Sequence, residues 1–98
     1  MLLKELNREL SSASKPLVKR FEQAEGSHVL AIGLNHDVIL KEHKSDIPAR
    51  IVVIKGAITY ISGNNSIHLD VFDELEIPIG EYHSIEPREA SIFFVIKK

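Results

Sequence analysis

Two histidines have the residue type and the setting for chemistry. His83 follows residues 78–82, Pro-Ile-Gly-Glu-Tyr, in which a rigid proline and a turn glycine lead into the next strand. Period-two alternation puts His83 on the same face as Ile85, so we expect its imidazole to point into an apolar interior. His43 ends an earlier strand, where counting by twos groups it with Ile39. Sequence alone leaves His43 undecided between an interior pocket and its rim.

A divalent metal (Fe, Ni, Zn or Mn) is one occupant that such a pair could hold. Imidazole nitrogens bind these ions, but a catalytic metal site generally keeps three protein ligands and one open position. His43 and His83 are only two ligands, so a third would have to come from elsewhere in the chain. The spacing selects none of the candidates, which are Glu42, Asp46, Glu81, His28 and His36.

Two metal-free interpretations are also open. An imidazole moves protons near neutral pH if a carboxylate orients its other nitrogen, and Glu42 or Glu76 could take that role. The favoured interpretation is simpler: the histidines are pocket residues hydrogen-bonded to backbone or water, and the interior binds a small molecule without a metal.

Composition limits the class of protein. Twelve lysines and arginines oppose fourteen aspartates and glutamates, for a net charge of −2, so no nucleic-acid or membrane partner is expected. The absence of cysteine excludes disulfide scaffolds and thiolate metal sites and favours a cytoplasmic location. We expect no signal peptide, because charges interrupt the N-terminal leucines. A basic group of Lys15, Lys19 and Arg20 is interpreted as a solvated face, and Lys97 as part of the tail.

The elements that must position the histidines are mostly strands. Leucines recur at helical spacing over residues 2–10, which predicts a short amphipathic helix within an N-terminal segment of residues 1–14. The remaining residues, 15–98, form the predicted barrel domain, because short apolar segments between turn residues are typical of an all-β sandwich or barrel. The predicted strands are 27–34, 38–43, 49–55, 57–62, 66–70, 74–78, 82–86 and 90–97.

The order of these residues resembles a small single-domain cupin over residues 27–97. The matching positions of the two cupin half-motifs are His43 and Gly56 in the first, and Asp73, Pro78, Gly80 and His83 in the second. Four positions depart from the family pattern: Ser45 replaces the second histidine, Ala49 (or Arg50) the glutamate, Phe72 the glycine before Asp73, and Pro87 the asparagine. Two of the family's four metal-ligand positions are therefore kept.

The resemblance implies an all-β, cupin-type double-stranded β-helix (a jelly-roll β-barrel) with a short N-terminal helix. It implies a small-molecule pocket, for which the expected lining residues are His43, His83, Ser45, Ala49 and Phe93. The alternative is a metal-dependent oxygenase or isomerase that uses His43 and His83 with a further ligand. Small cupins commonly pair and an antiparallel sandwich has exposed edges, so a homodimer is also expected.

Overall fold

The computed structural model describes residues 2–21 and 28–97, and in those residues it contains one helix and nine strands. In chain order they are α1 (Leu2–Leu10), β1 (Leu17–Phe21), β2 (His28–Leu34), β3 (Leu40–His43), β4 (Ala49–Lys55), β5 (Ala57–Ser62), β6 (Asn65–Asp70), β7 (Glu74–Ile77), β8 (His83–Pro87) and β9 (Ser91–Lys97).

The strands form two antiparallel sheets. The larger has the order β1-β2-β9-β4-β7, and the smaller has the order β3-β8-β5-β6. Strands adjacent in the chain often lie in different sheets, so the chain crosses repeatedly between the two layers. This is the all-β architecture that the sequence predicts. No helix in the described part of the chain is long and apolar enough to cross a membrane.

The main core lies between the sheets. Alternate residues of β4 and β9, such as Ile51, Val53 and Phe93, are fully buried there, and Ile58 and Ile85 cover them from the smaller sheet. Burying each such side chain contributes on the order of 1.5 to 3 kcal/mol. The core therefore holds the two sheets face to face.

Helix α1 covers part of the outer face of the larger sheet. Its buried residues Leu6 and Leu10 pack against Ala31 and Ile92, which alternate with inward-facing residues on β2 and β9. This second cluster confirms the predicted amphipathic helix. The helix lies on the side of the sheet away from the main core.

The sequence prediction missed β1, an edge strand that pairs with β2. Lys19 and Arg20 interrupt its apolar pattern, which is why it resembled a solvated basic segment. The other predicted strands agree with the structure to within about two residues at each end. Predicted positions Met1, Ser27 and Lys98 lie outside the described residues.

Candidate functional site

A cavity of about 190 Å³, here called the barrel cavity, lies between the two sheets. Most of its walls are apolar and come from both sheets: Leu30, Ile32, Leu40, Ile77, Ile85 and Val95. The remaining lining residues are His43, Ser45, Ala49, His83 and Lys97. Four of the five predicted pocket residues are thus brought together. Phe93 is not: it is fully buried in the main core and does not line the cavity.

His43 and His83 face each other across the β3–β8 pair. They are register partners, and their ring centroids lie 4.3 Å apart with an interplanar angle of 61°. His83 is only 2% exposed, as its alternation with the buried Ile85 predicts, whereas His43 lies at the exposed rim. The structure therefore settles the orientation of His43, which lies at the rim with its ring against that of His83.

Hydrogen bonds to the backbone fix the tautomer of both rings. His43 Nδ1 lies 2.8 Å from the Lys41 carbonyl oxygen, and His83 Nδ1 lies 3.0 Å from that of Glu81. Because a carbonyl can only accept, each Nδ1 must carry a proton and donate it. In the neutral ring, each Nε2 then keeps a lone pair that can accept a hydrogen bond from a ligand.

The Nε2 of His83 reaches open space. It makes no hydrogen bond within the described residues, although every fully buried side-chain nitrogen and oxygen there has a partner. The atom must therefore be accessible, and the barrel cavity is the open space that His83 lines. Burial lowers the pKa of His83 below its usual value, and the nearby charges of His43 and Lys97 lower it further, against an opposing effect of the Glu81 hydrogen bond. Burial therefore favours the neutral form of His83.

Tyr60 supports His83 from the β5 side. The two rings stack with centroids 5.1 Å apart and an interplanar angle of 21°, and the Tyr60 hydroxyl donates to Glu81 Oε1 at 2.7 Å. Burial, followed by this carboxylate, raises the pKa of Tyr60. Glu81 therefore holds both aromatic rings, one with its carbonyl and one with its carboxylate. Sequence reasoning missed Tyr60, although its alternation with the buried Ile58 was a usable signal.

The loops that carry the histidines are also joined. The Gly80 N–H donates to the Ser45 carbonyl at 2.9 Å. The Ser45 hydroxyl donates to the Ile47 carbonyl at 2.6 Å and is itself buried, so it has little capacity left for a ligand. Ser45 thus shapes the cavity wall and stabilises the turn.

The site does not fit a catalytic metal centre of three protein ligands. In residues 2–21 and 28–97, no group of three histidines, aspartates or glutamates could hold an ion. Glu81, a predicted candidate, accepts the Tyr60 hydroxyl instead. Glu42, His36 and Asp46 are exposed. Two imidazoles alone hold an ion loosely against water.

Within residues 2–21 and 28–97, no carboxylate orients the imidazoles either. Backbone carbonyls occupy both Nδ1 atoms, so the role considered for Glu42 or Glu76 is already filled. Glu76 instead lies on the outer side of the larger sheet, where it and Glu74 pair with Arg50. Arg50 thus lies along the surface of its own chain, paired with its neighbouring strand. Among the described residues, no carboxylate pairs with either histidine at the site.

A second recess, here called the vestibule, adjoins the barrel cavity. Its volume is about 350 Å³, and it shares the lining residues Leu30, Ser45 and Lys97 with the cavity. Its other lining residues are Arg20, His28, Lys44, Asp46 and Ile47. Arg20 is exposed, as its interpretation as part of a solvated face implies, whereas the interpretation of Lys97 as tail was wrong, because Lys97 belongs to β9 and is half-buried. Lys97 alternates with Phe93 and Val95, which was a signal for its inward position.

Solved structures with similar architecture decide the fold. A cupin superfamily protein from Desulfitobacterium hafniense superimposes with a TM-score of 0.79 at 14% identity, covering 86% of this chain and 77% of that one. An RmlC-like cupin family protein from Methanocaldococcus jannaschii gives 0.76 at 19% identity, with coverage of 87% and 81%. The chain has the cupin fold. KdgF from a Halomonas species is also similar, with a TM-score of 0.75, 14% identity and coverage of 86% and 80%.

The similarity to known proteins lies in the fold and not in the sequence. No protein-family model matches the chain, and no curated protein matches it either. Within the cupin fold, however, the two half-motifs meet as the resemblance implies: His43 of the first lies against His83 of the second. The departures at Ser45 and Ala49 also face the same cavity. His43, Ser45, Ala49 and His83, the positions that the resemblance singles out, therefore line one cavity in this chain.

Proposed function

We propose that this cupin-fold protein binds a small organic molecule in the barrel cavity without a metal. The observation that carries the proposal is the pair of Nδ1-protonated imidazoles at one end of a largely apolar cavity. Apolar walls contribute affinity, and a few polar atoms fix orientation, which is the usual composition of a small-molecule site. The Nε2 lone pairs of His43 and His83 would accept a hydrogen bond from a ligand hydroxyl or amide.

The size of the cavity limits the ligand. An apolar cavity of about 150 Å³ is enough to hold benzene. A cavity of about 190 Å³ therefore suits a body of roughly six to eight heavy atoms, with larger ligands extending into the vestibule. Metal-dependent oxygenase or isomerase chemistry is not favoured, because the described residues supply no third ligand.

The test uses hexan-1-ol as a probe, because it combines a short apolar chain with one hydroxyl donor. Histidine side-chain ¹⁵N NMR should show that the probe shifts the Nε2 resonances of His43 and His83. The His68 resonance should not move, because His68 is exposed on β6 and bonded to Thr59. Substitution His83→Ala should weaken binding, whereas the matched His68→Ala should not. Equal effects of the two variants would refute the proposed pocket.

Metal content gives an independent check. Protein purified without a His-tag should carry far less than one equivalent of Fe, Ni, Zn or Mn. A near-stoichiometric metal that His83→Ala abolishes would overturn the metal-free proposal in favour of the metal-dependent alternative. A homodimer and a cytoplasmic location stay predictions; light scattering on the eluted protein tests the first.

A further inference from the structure

The vestibule carries a charge opposite to that of the whole chain. Arg20, Lys44 and Lys97 line it against one carboxylate, Asp46, although the chain as a whole has a net charge of −2. Within residues 2–21 and 28–97, none of these three cations forms an ion pair with an acidic side chain. Lys44 instead lies 5.4 Å from the centre of the Tyr82 ring. A local cluster of cations at a cavity entrance attracts anions.

The topology shows why these cations lie together. Lys97 pairs with His28 across β9 and β2, and Arg20 pairs with Leu30 across β1 and β2. Leu30 lines the barrel cavity, so Arg20 is on the same face of the sheet as the cavity wall. Lys97 is half-buried and lines both recesses. It therefore stands at the boundary between the apolar cavity and the vestibule.

The imidazoles suit a different ligand group from the vestibule cations. Both rings donate the Nδ1 proton to a backbone carbonyl, so the Nε2 of a neutral ring presents a lone pair, which accepts from a hydrogen-bond donor and does not attract an anion. An anionic group is therefore favoured beside Lys97 and Arg20 over the Nε2 atom of a neutral imidazole. The cations and the imidazoles, which share the lining residues Ser45 and Lys97, therefore recognise different groups of one molecule.

We infer that the ligand is an amphiphilic carboxylate, whose apolar body lies in the barrel cavity and whose carboxylate lies in the vestibule against Lys97 and Arg20. This inference rests on the proposed function and adds the chemical class and the orientation of the ligand. A hydroxyl or other donor elsewhere on the ligand would reach the imidazoles that line the same cavity. Charge-assisted hydrogen bonds from lysine and arginine would then fix the carboxylate.

The experiment compares three probes of one shape and different charge: hexanoate, hexanamide and hexylammonium. Titration calorimetry or NMR should show that hexanoate binds at least tenfold more tightly than hexanamide, with hexylammonium weakest. Substitution Lys97→Met or Arg20→Gln should reduce the hexanoate affinity about tenfold, and Arg20→Gln, which lies in the vestibule and not in the barrel cavity, should leave that of hexanamide unchanged. The matched control is Lys19→Met, because Lys19 lies on the opposite face of β1 and pairs with Glu9 at 3.5 Å. It should change neither affinity.

The outcomes separate the two proposals. If hexanamide binds as tightly as hexanoate, or if Lys97→Met and Lys19→Met behave alike, the carboxylate inference is wrong and the small-molecule pocket stands. If neither these probes nor hexan-1-ol shift the resonances of His43 and His83 at millimolar concentration, the proposed function fails with it. Raising the salt concentration should weaken hexanoate but not hexanamide, since the vestibule charges are partly solvated.

Discussion

Gly56 lies where the chain passes from β4 in one sheet to β5 in the other. Its φ angle is +77°, and a Cβ atom there would lie 2.4 Å from both the Ala90 carbonyl oxygen and Ser91 Oγ. Ordinary contacts at such a distance begin near 3.4 Å, so the start of β9 would have to move by about 1 Å. The glycine that matches the end of the first cupin half-motif is thus required by close packing as well as by backbone conformation.

The cost of Gly56→Ala can be worked from these contacts. The left-handed conformation costs an alanine about 1 to 2 kcal/mol. Displacement of Ser91 would weaken its hydrogen bonds to Ala57 and Glu89, and Ser91 is fully buried. Unsatisfied buried groups cost about 1 to 3 kcal/mol. We therefore expect Gly56→Ala to destabilise the fold by about 2 to 5 kcal/mol, a large part of the usual total of about 5 to 15 kcal/mol.

Gly63→Ala is the matched control. Gly63 also has a positive φ, +57°, but a Cβ atom there would meet nothing within 4 Å. The control should therefore cost only about 1 kcal/mol, from conformation alone. Urea unfolding followed by circular dichroism gives the free energy of unfolding of both variants. In thermal unfolding, a loss of about 1 kcal/mol lowers the Tm by roughly 4 to 8 °C for a domain of this size. If the two variants lie within about 1 kcal/mol of each other, the steric argument for Gly56 is refuted.

Three further predictions concern the site and the helix. The pKa of His83 is lower in the folded protein than in the unfolded chain, so protonation favours the unfolded chain. The free energy of unfolding should therefore be at its full value above about pH 6.5 and fall as the pH drops below it. His83→Gln should reduce this slope in unfolding experiments between about pH 7.5 and 5. Leu6→Ala should cost about 2 to 5 kcal/mol because Leu6 is fully buried, whereas Leu3→Ala, at 37% exposed, should cost less than about 1 kcal/mol in the same assay; equal losses would contradict the described helix packing. Tyr60→Phe should lower stability by about 1 to 2 kcal/mol and shift the His83 resonance through the lost bond to Glu81, while an unchanged spectrum would show that Tyr60 does not position the imidazole.

Alternation predicted the inward side of the regular strands. His83 lies between polar neighbours on a strand whose residue Ile85 is buried, and the period-two rule places it correctly because β8 is regular. The rule fails for His43 because the β3–β8 register shifts between Leu40 and His43. Residues three apart cannot share a face of a regular strand, but this irregularity lets both line the cavity. Bulges of this kind depend on tertiary pairing, which one sequence does not display.

The vestibule shows a second limit of sequence reasoning. Arg20 belongs to β1, a five-residue edge strand that was not predicted because of its polar residues. The other cations of the vestibule, Lys97 and Lys44, are distant from Arg20 in the chain. The pairing that assembles them runs through β2 and β9. A cluster of charges that is formed by strand pairing has no motif in the linear sequence. The composition therefore shows a mildly acidic chain but does not reveal the basic vestibule.

The hydrogen bond from the Gly80 N–H to the Ser45 carbonyl joins the two loops beside the site, so a displacement of one loop moves the other. Glu81, the next residue, holds His83 and Tyr60, so displacement of either loop would be transmitted to both rings. A molecule that wedges against Ser45 would therefore be sensed at His83 even without touching it. Ligand binding in the barrel cavity would then change the hydrogen-exchange rate of the Gly80 amide, which can be measured without a label.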